Sequence, residues 1–450
     1  MSSAGVRIAI AAAVVIFRGA APAWAADAAP QVAAPQPEAG VAPDNQLRLQ
    51  LDLAHTYAQD LDMPGYVSFS DLRFVGGGSR LLGAPLALQA DARLRLPSDT
   101  TTPRRQTVSE AYAALGSAES WRLSLGRQVV RPLGMVEVDG GEIDLKVSSQ
   151  TTALAFGGLL PHPFTGAVNT QFVGGGIGYD HRSEASNHAG GAVLSFYRGT
   201  TDRAFLTQRS YARLSQDLVV SGFAIVDLLA PRGLFDTGTK NGPDLTSFIG
   251  VVRYRGVAPV DSNLSVTHTH TVVPNRWWTD FLNERRRQLG YVLDGAEPLG
   301  TRVTSMRFTN NVPVGAGLTP YVRVRYDRRH TAAANAAQGV VGFKWAPRFG
   351  YADLNYTHRR AFNDDVQMAA LGVGMDHQVW GGDAGAILLR SVRRAGGQKV
   401  QSIDLRGGLW LALGELLETL KGVHLLAEYD GVLEPGAVIH AGFVQLGYRR

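Results

Sequence analysis

The sequence predicts an all-β fold: a single antiparallel transmembrane β-barrel with an even number of strands, roughly 16–22, and no plug domain. The first observation is an alternation of apolar and polar residues, as in LRLQLDL at residues 47–53 and LALQADARLRL at residues 86–96. Successive side chains of a strand point to opposite faces, so each segment has one apolar and one polar face. The second is that no later stretch has the roughly 18 uninterrupted apolar residues of a membrane-spanning helix. The third is an export signal at the N-terminus.

The first 46 residues are predicted to lie outside the barrel. Arg7 precedes an apolar run at residues 8–17, and Ala23-Trp24-Ala25 has the small-x-small pattern of a cleavage site, so residues 1–25 read as a secretory signal peptide. Residues 26–46 are rich in Ala and Pro and lack periodicity, which is typical of a disordered leader, here in the periplasm. Residues 47–450 are then the transmembrane β-barrel.

Alternation recurs in 22 segments, an even number, as single-chain bacterial barrels require. The two longest gaps, 229–245 and 272–299, follow the eleventh and thirteenth segments, where a barrel with both termini in the periplasm has its external loops. The predicted strands lie near residues 47–57, 66–75, 86–96, 107–115, 121–127, 142–147, 152–157, 171–180, 190–198, 207–214, 218–228, 246–255, 262–271, 300–309, 319–327, 337–345, 349–358, 366–375, 383–391, 400–411, 421–430 and 437–448.

Composition excludes several classes of protein. The chain has no cysteine, which excludes a disulfide-stapled fold, iron–sulfur clusters and thiolate zinc sites, and no cofactor is expected. A formal net charge of +5 over 450 residues is too balanced for a nucleic-acid-binding protein, which would carry a basic stripe. Arginine dominates the basic residues. Two explanations stay open for it: a GC-rich genome, or recognition of anions by the guanidinium fork.

Arginines recur on the polar faces of the predicted strands. A charge that faces lipid near the bilayer midplane costs about 2–4 kcal/mol, so these rows are expected to face the lumen. They indicate either an arginine-lined path that favours anions or a mixed lumen held open by Arg–carboxylate pairs. The predicted pore-lining residues are Arg93, Arg95, Arg122, Arg253, Arg255, Arg323, Arg325 and Asp327.

The longest predicted loop contains a segment of helical character, residues 275–288, that combines aromatic residues with arginines. This combination suits sugar rings or carboxylated chains, and it predicts a constriction or a ligand-binding loop. The alternative is a surface loop at the headgroup level, where Trp and Arg both settle readily. The candidate loop residues are Trp277, Trp278, Arg285, Arg286 and Arg287.

Three further motifs carry weaker signals. His268 and His270 share one strand face near the outer rim, but no third metal ligand is identifiable nearby, so no metal site is predicted. Ser265 near His268 leaves a hydrolase embedded in the barrel wall as an alternative, although no G-x-S-x-G motif is present. The glycine-rich residues 174–178 lack the Lys and the helix of a phosphate-binding loop, and they predict a bent or closely packed strand.

The last predicted strand, VIHAGFVQLGY at residues 438–448, resembles the closing strand of Gram-negative outer-membrane barrels, which ends on an aromatic residue read by the barrel-assembly machinery. Here Arg449 and Arg450 follow Tyr448. VSEAY at residues 108–112 and WRLSLGRQ at residues 121–128 are similar to early hairpins of general porins and alginate-export-like barrels. In those families a strand ending in Gly-Arg-Gln precedes an inward-folding loop. The resemblance implies a location in the bacterial outer membrane and the assembly machinery as a partner of the last strand.

The leading functional hypothesis is a porin-like channel for passive or mildly selective diffusion of small hydrophilic solutes, with anions such as sugar acids as one solute class. It needs no enzymatic step. The expected partners are outer-membrane lipid and these solutes, not nucleic acid, and a homo-oligomer stays open. The alternatives are a structural or surface-display barrel with a filled lumen and binding loops, and the wall-embedded hydrolase. A soluble array of β-sandwiches is the architectural rival, but it would show a domain break about every 100 residues.

Overall fold

The computed structural model describes most of the chain from Leu47 onward. The predicted signal peptide and leader, and the candidate loop residues between 275 and 288, lie outside the described residues. The described ranges are 47–60, 66–78, 85–97, 105–117, 119–134, 136–161, 167–231, 239–256, 260–270, 302–330, 335–360, 364–377, 379–393, 399–416, 418–435 and 437–449.

Each of the 22 predicted segments corresponds to one strand of the structure. The strands are β1 (Leu47–Asp60), β2 (Tyr66–Gly78), β3 (Leu86–Pro97), β4 (Arg105–Ser117), β5 (Trp121–Val130), β6 (Val136–Lys146), β7 (Thr151–Leu159), β8 (Phe172–Arg182), β9 (Ser186–Tyr197), β10 (Thr200–Arg213), β11 (Leu218–Pro231), β12 (Thr239–Tyr254), β13 (Asp261–His270), β14 (Arg302–Asn311), β15 (Leu318–Arg329), β16 (Asn335–Trp345), β17 (Gly350–Arg360), β18 (Asp364–Asp376), β19 (Trp380–Arg393), β20 (Lys399–Ala412), β21 (Val423–Glu434) and β22 (Ala437–Arg449).

The strands form one sheet that closes on itself. Each strand pairs antiparallel with the next along the chain, and β1 also pairs antiparallel with β22. This closing ladder runs from Gln50 opposite Arg449 to Asp60 opposite Ile439. Closure leaves the 22-stranded sheet without an open edge, so the predicted antiparallel barrel is confirmed.

The two ends of the barrel differ in their connections. At one end, here called the turn end, tight turns such as residues 147–150, 183–185 and 214–217 join neighbouring strands. β1 begins and β22 ends at the turn end, because Gln50 lies opposite Arg449. The other end, called the loop end, carries the connections that follow odd-numbered strands. Its longest connection is residues 271–301 between β13 and β14, which agrees with the predicted gap after the thirteenth segment.

The second predicted gap, residues 229–245, is wrong. β11 continues to Pro231 and β12 already begins at Thr239. Their ladder passes through two register shifts, one after Ile225 and one after Asp227. Bulges of this kind absorb extra residues and bend the strand, so pairing continues where the alternation of residues breaks down.

Helical structure in the described residues is limited to short pieces. A 3-10 turn at Arg131–Leu133 connects β5 to β6, and two helical turns, Leu413–Leu416 and Glu418–Leu420, lie between β20 and β21. No helix in the described ranges has the length and hydropathy needed to cross a membrane.

One face of the wall carries a belt of exposed apolar side chains. Leu125 of β5, Ile177 of β8 and Val324 of β15 are 54%, 66% and 51% exposed, far more than core residues of a soluble fold. Their neighbours along each strand point to the opposite face. A closed antiparallel barrel with an apolar outer belt is the architecture of a bacterial outer-membrane barrel of porin-like type, as the sequence predicts.

Candidate functional site in the barrel lumen

The face opposite the apolar belt carries charged side chains of the wall and lines the lumen. On β15, Val324 and Tyr326 are exposed on the outer face, while Arg323, Arg325 and Asp327 alternate with them on the other face. Hydrocarbon lies outside the closed wall, and a charge costs about 2–4 kcal/mol there, so the charged face is the lumen face.

The other predicted pore-lining residues lie on the same face. Each of three arginines alternates with an exposed apolar neighbour of its own strand: Arg95 with Leu96, Arg122 with Trp121, and Arg253 with Val252 and Tyr254. Arg93 shares the face of Arg95 on β3. Arg255 lies just beyond the end of β12, next to the turn end. The structure therefore brings all of these arginines to the lumen or its rim, spread over several parts of the wall.

On β2 and β3, lumen arginines are matched by aspartates of the neighbouring strand. Arg93 and Arg95 both form ion pairs with Asp71, and Arg95 Nε lies 3.0 Å from Asp71 Oδ1. Arg73 forms an ion pair of 2.7 Å with Asp91. Since Asp71 is nearly buried, its carboxylate is held between two guanidinium groups. This part of the wall fits the predicted mixed lumen rather than an arginine-lined anion path.

The same matching occurs at two other predicted positions. Arg122 forms an ion pair of 2.7 Å with Asp144 on β6. Arg253 donates from Nε to Asp261 at 3.0 Å, and Arg255 lies 3.4 Å from the same carboxylate. Pairs of this type fix the side chains and reduce the net charge that a passing ion meets.

Strands β14 and β15 carry a concentration of arginines on their lumen faces. Their lumen faces carry four arginines and one aspartate, here called the β14–β15 basic patch: Arg307, Arg323, Arg325, Arg329 and Asp327. Arg307 lies directly opposite Arg325 in the ladder, and Arg325 Nε donates to Asp327 at 2.8 Å. Positive charge is therefore concentrated on two neighbouring strands.

The basic patch continues into an aromatic contact. The Arg323 guanidinium carbon lies 4.5 Å from the ring centroid of Tyr321, which is a cation–π arrangement. The Tyr321 hydroxyl donates to Asp353 of β17 at 2.7 Å, and Asn355 also donates to that carboxylate. These contacts hold the ring of Tyr321 beneath Arg323.

The connection between β5 and β6 folds into the lumen. Leu133 of the 3-10 turn is fully buried, and it packs on β8 and β9 at Gly178 and Gly191. A Cβ atom at either glycine would lie within 2.7 Å of the Leu133 side chain, so the socket for Leu133 requires glycine at both positions. Both glycines alternate with the lipid-facing Ile177 and Ala192, so they belong to the lumen face.

Leu133 is the centre of an apolar cluster inside the barrel, here called the apolar step. Val136 and Phe205 pack against it, and Arg131 at the start of the turn reaches Glu110 of β4 with an ion pair of 3.0 Å. The step narrows the lumen on the side of β5–β9. Its buried members are Val130, Leu133, Val138, Leu154, Phe156 and Val193.

Part of the apolar step was predictable from the sequence. The resemblance implied an inward-folding loop after Gly126-Arg127-Gln128, and the burial of Leu133 confirms it. The glycine-rich segment at 174–178 was predicted to be a closely packed strand, and it forms part of β8 under the apolar step. The partner of that packing, Leu133, was missed, because no local pattern links it to glycines more than forty residues away.

Strand geometry places the residues of two weaker sequence motifs, the Ser265–His268 pair and the two histidines. Ser265 lies opposite Arg307 on the lumen face, while His268 lies opposite Thr304 on the outer face. The two side chains therefore point to opposite sides of the wall, which excludes them as a catalytic pair. His268 and His270 do share the outer face, as predicted, and the described residues contain no group of three metal-ligating side chains.

No protein-family model matches the sequence, and no curated protein matches it. Pseudomonas aeruginosa OccK7 (OpdD) is similar in structure, with 10% identity, a TM-score of 0.46, and coverage of 91% of this chain and 99% of that chain. Acinetobacter baumannii OccAB4 has 9% identity, a TM-score of 0.42, and coverage of 91% and 99%. The P pilus usher (PapC) translocation pore has 10% identity, a TM-score of 0.45, and coverage of 90% and 99%. The likeness is one of barrel architecture.

Proposed function

We propose that the barrel is an outer-membrane channel through which small hydrophilic solutes diffuse passively. The observation that carries the proposal is the different chemistry of the two wall faces, with charged and hydrogen-bonding side chains towards the lumen and apolar side chains towards lipid. A closed barrel satisfies its backbone hydrogen bonds internally, so a polar path crosses the hydrocarbon without exposing the backbone. Passage along such a path involves no catalysis.

The proposed selectivity is a mild preference for anions that originates at the β14–β15 basic patch. Where Arg93, Arg95 and Arg122 are matched by aspartates, the wall contributes little net charge. At the patch, the lumen faces of β14 and β15 carry four arginines and one aspartate, and this local excess of positive charge is proposed to enrich anions. Carboxylated solutes suit this wall best, because a guanidinium group donates two parallel hydrogen bonds to a carboxylate.

A structural or surface-display barrel that conducts little is the second candidate. The apolar step favours it, since the turn around Leu133 occupies lumen space with a packed apolar cluster. Recognition of β22 by the assembly machinery and association into a homo-oligomer stay predictions under either function.

Conductance across a planar lipid bilayer separates the two candidates. The refolded full chain is first checked for heat-modifiable migration in gels, so that only closed barrels are compared. A channel gives discrete conductance steps, and its reversal potential in a salt gradient moves towards that of chloride. If folded barrels produce no measurable conductance, the structural barrel with a filled lumen is supported. A reversal potential on the cation side contradicts the proposed anion preference.

A further inference from the structure

The outer face of β13–β15 carries two rows of polar side chains at the loop end. His268 lies opposite Thr304, and Thr304 lies opposite Arg328. In the next row His270 lies opposite Arg302, whose carbonyl accepts a hydrogen bond of 2.8 Å from the backbone N–H of His330. These six residues are here called the His/Arg array: His268, His270, Arg302, Thr304, Arg328 and His330.

Hydrogen bonds fix the centre of the array. The Thr304 hydroxyl lies 2.8 Å from His268 Nδ1 and 2.9 Å from His330 Nε2, so it joins the two imidazoles. The ring centroids of His268 and His330 are 5.9 Å apart. The array is therefore an organised group of donors and not a set of independent surface side chains.

The charge of the array is positive and faces outward. Arg302 is 44% exposed, and Arg328 and His330 are also exposed. The carboxylate of Asp244 contacts the array: it lies 2.8 Å from His270 and forms an ion pair of 3.2 Å with Arg302. Arg328 and His330 are exposed on the outer face, so N–H donors of the array are directed away from the wall.

Directly below the array the same three strands are apolar on their outer face. The next row towards the turn end contains Val266, Met306 and Tyr326, and the row after it contains Leu264, Phe308 and Val324. Polar rows thus lie against the upper edge of the hydrocarbon belt. Lipid headgroups lie at this depth, and acyl chains lie along the apolar rows beneath them.

We propose that the His/Arg array binds a phosphate-bearing headgroup of a lipid in the leaflet at the loop end. Guanidinium and imidazole N–H groups are suited to phosphate oxygens, and basic clusters at membrane interfaces attract anionic headgroups. A lipid is the occupant, and not a free anion, because the donors continue without interruption into an apolar wall that fits acyl chains. This site is separate from the lumen and independent of the proposed channel function.

Native mass spectrometry of the full-length barrel in detergent tests the proposal, with bisphosphorylated lipid A as the probe. Wild type is expected to retain the lipid. The exchange Arg302→Gln/Arg328→Gln is expected to weaken its binding about twenty-fivefold, since each arginine near an anionic headgroup contributes about fivefold. Arg328→Gln alone, at an exposed position, is expected to weaken it about fivefold. Dephosphorylated lipid A is expected to bind wild type and variants equally weakly.

The matched control is Arg360→Gln/Arg390→Gln, which removes two exposed arginines from the same outer face and the same end of the barrel. Its binding of lipid A is expected to equal that of wild type. Equal losses in the control and array variants, or unchanged binding in the array variants, overturn the proposal. Inorganic phosphate that competes at the affinity of the lipid also overturns it, because the site then recognises a free anion. Heat-modifiable migration verifies that each variant is folded.

Discussion

Arg307 of β14 and Arg325 of β15 lie directly opposite each other on the lumen face. Like charges at directly opposed positions destabilise a sheet. Asp327, which accepts a hydrogen bond of 2.8 Å from Arg325, offsets part of that cost. The proposed anion preference of the channel depends on this pair of like charges.

Replacing both arginines, Arg307→Gln/Arg325→Gln, is expected to move the reversal potential towards cations. The size of the shift depends on the salt concentration because salt screens the charges: the Debye length is about 10 Å at 0.1 M salt and about 3 Å at 1 M. Bilayer recordings in salt gradients at both concentrations should show the shift at low salt and little of it at high salt. A reversal potential that stays at the wild-type value at low salt contradicts a role for the patch.

Removing the carboxylate between Arg93 and Arg95, Asp71→Asn, is expected to move the reversal potential the other way, towards anions. The two guanidinium groups lose their shared partner, and a nearly buried charged contact is lost at a cost of about 1–3 kcal/mol. Bilayer recordings report the first effect, and the denaturation midpoint of the refolded barrel reports the second. Asp91→Asn, beside the more exposed Arg73, serves as the milder comparison.

Truncating the centre of the apolar step, Leu133→Ala, is expected to raise single-channel conductance and its noise. The truncated side chain no longer fills the space over Gly178 and Gly191, and the packing of the buried turn loses about 2–5 kcal/mol of free energy. The matched control is Leu214→Ala in an exposed turn at the turn end, which should leave conductance unchanged. Equal conductance in wild type and Leu133→Ala would mean that the step does not narrow the path.

The two faces of the wall are expected to tolerate charge differently. Val324→Arg, in the middle of the outer face of β15, should reduce the stability of the barrel in lipid by about 2–4 kcal/mol. Ala370→Arg, on the lumen face of β18 opposite the uncharged Asn355 and Ile387, should cost much less, because water solvates the new charge. Urea titration of both variants in lipid vesicles makes the comparison. Similar losses in the two variants would contradict the assignment of the faces.

The sequence alone predicted the strands well and their mutual contacts poorly. Alternation is local, so runs such as residues 47–53 define both the strand and its two faces. The register between strands is not local. The pairing of Arg93 with Asp71 depends on the β2–β3 ladder, so the sequence left open whether this lumen arginine is a free donor or part of an ion pair, and the structure has the ion pair.

The errors have the same origin. The gap predicted at residues 229–245 was too long because the bulges between β11 and β12 interrupt the alternation while the ladder continues. The sequence indicated only the two histidines of the His/Arg array that lie on β13. The other members come from the next two strands: Arg302, Thr304, Arg328 and His330. Contacts that depend on pairing across strands require the folded wall.

The seam between β1 and β22 also constrains how the molecule is made. The partners of Gln50 and Asp60 lie on β22, the last described strand in chain order, so the ladder that closes the sheet joins its first and last strands. Contacts that join distant parts of a chain are slow to form. Until the closing ladder forms, the sheet has two unpaired edge strands that can pair with neighbouring molecules. We therefore expect the protein to be prone to aggregation until β1 and β22 have paired.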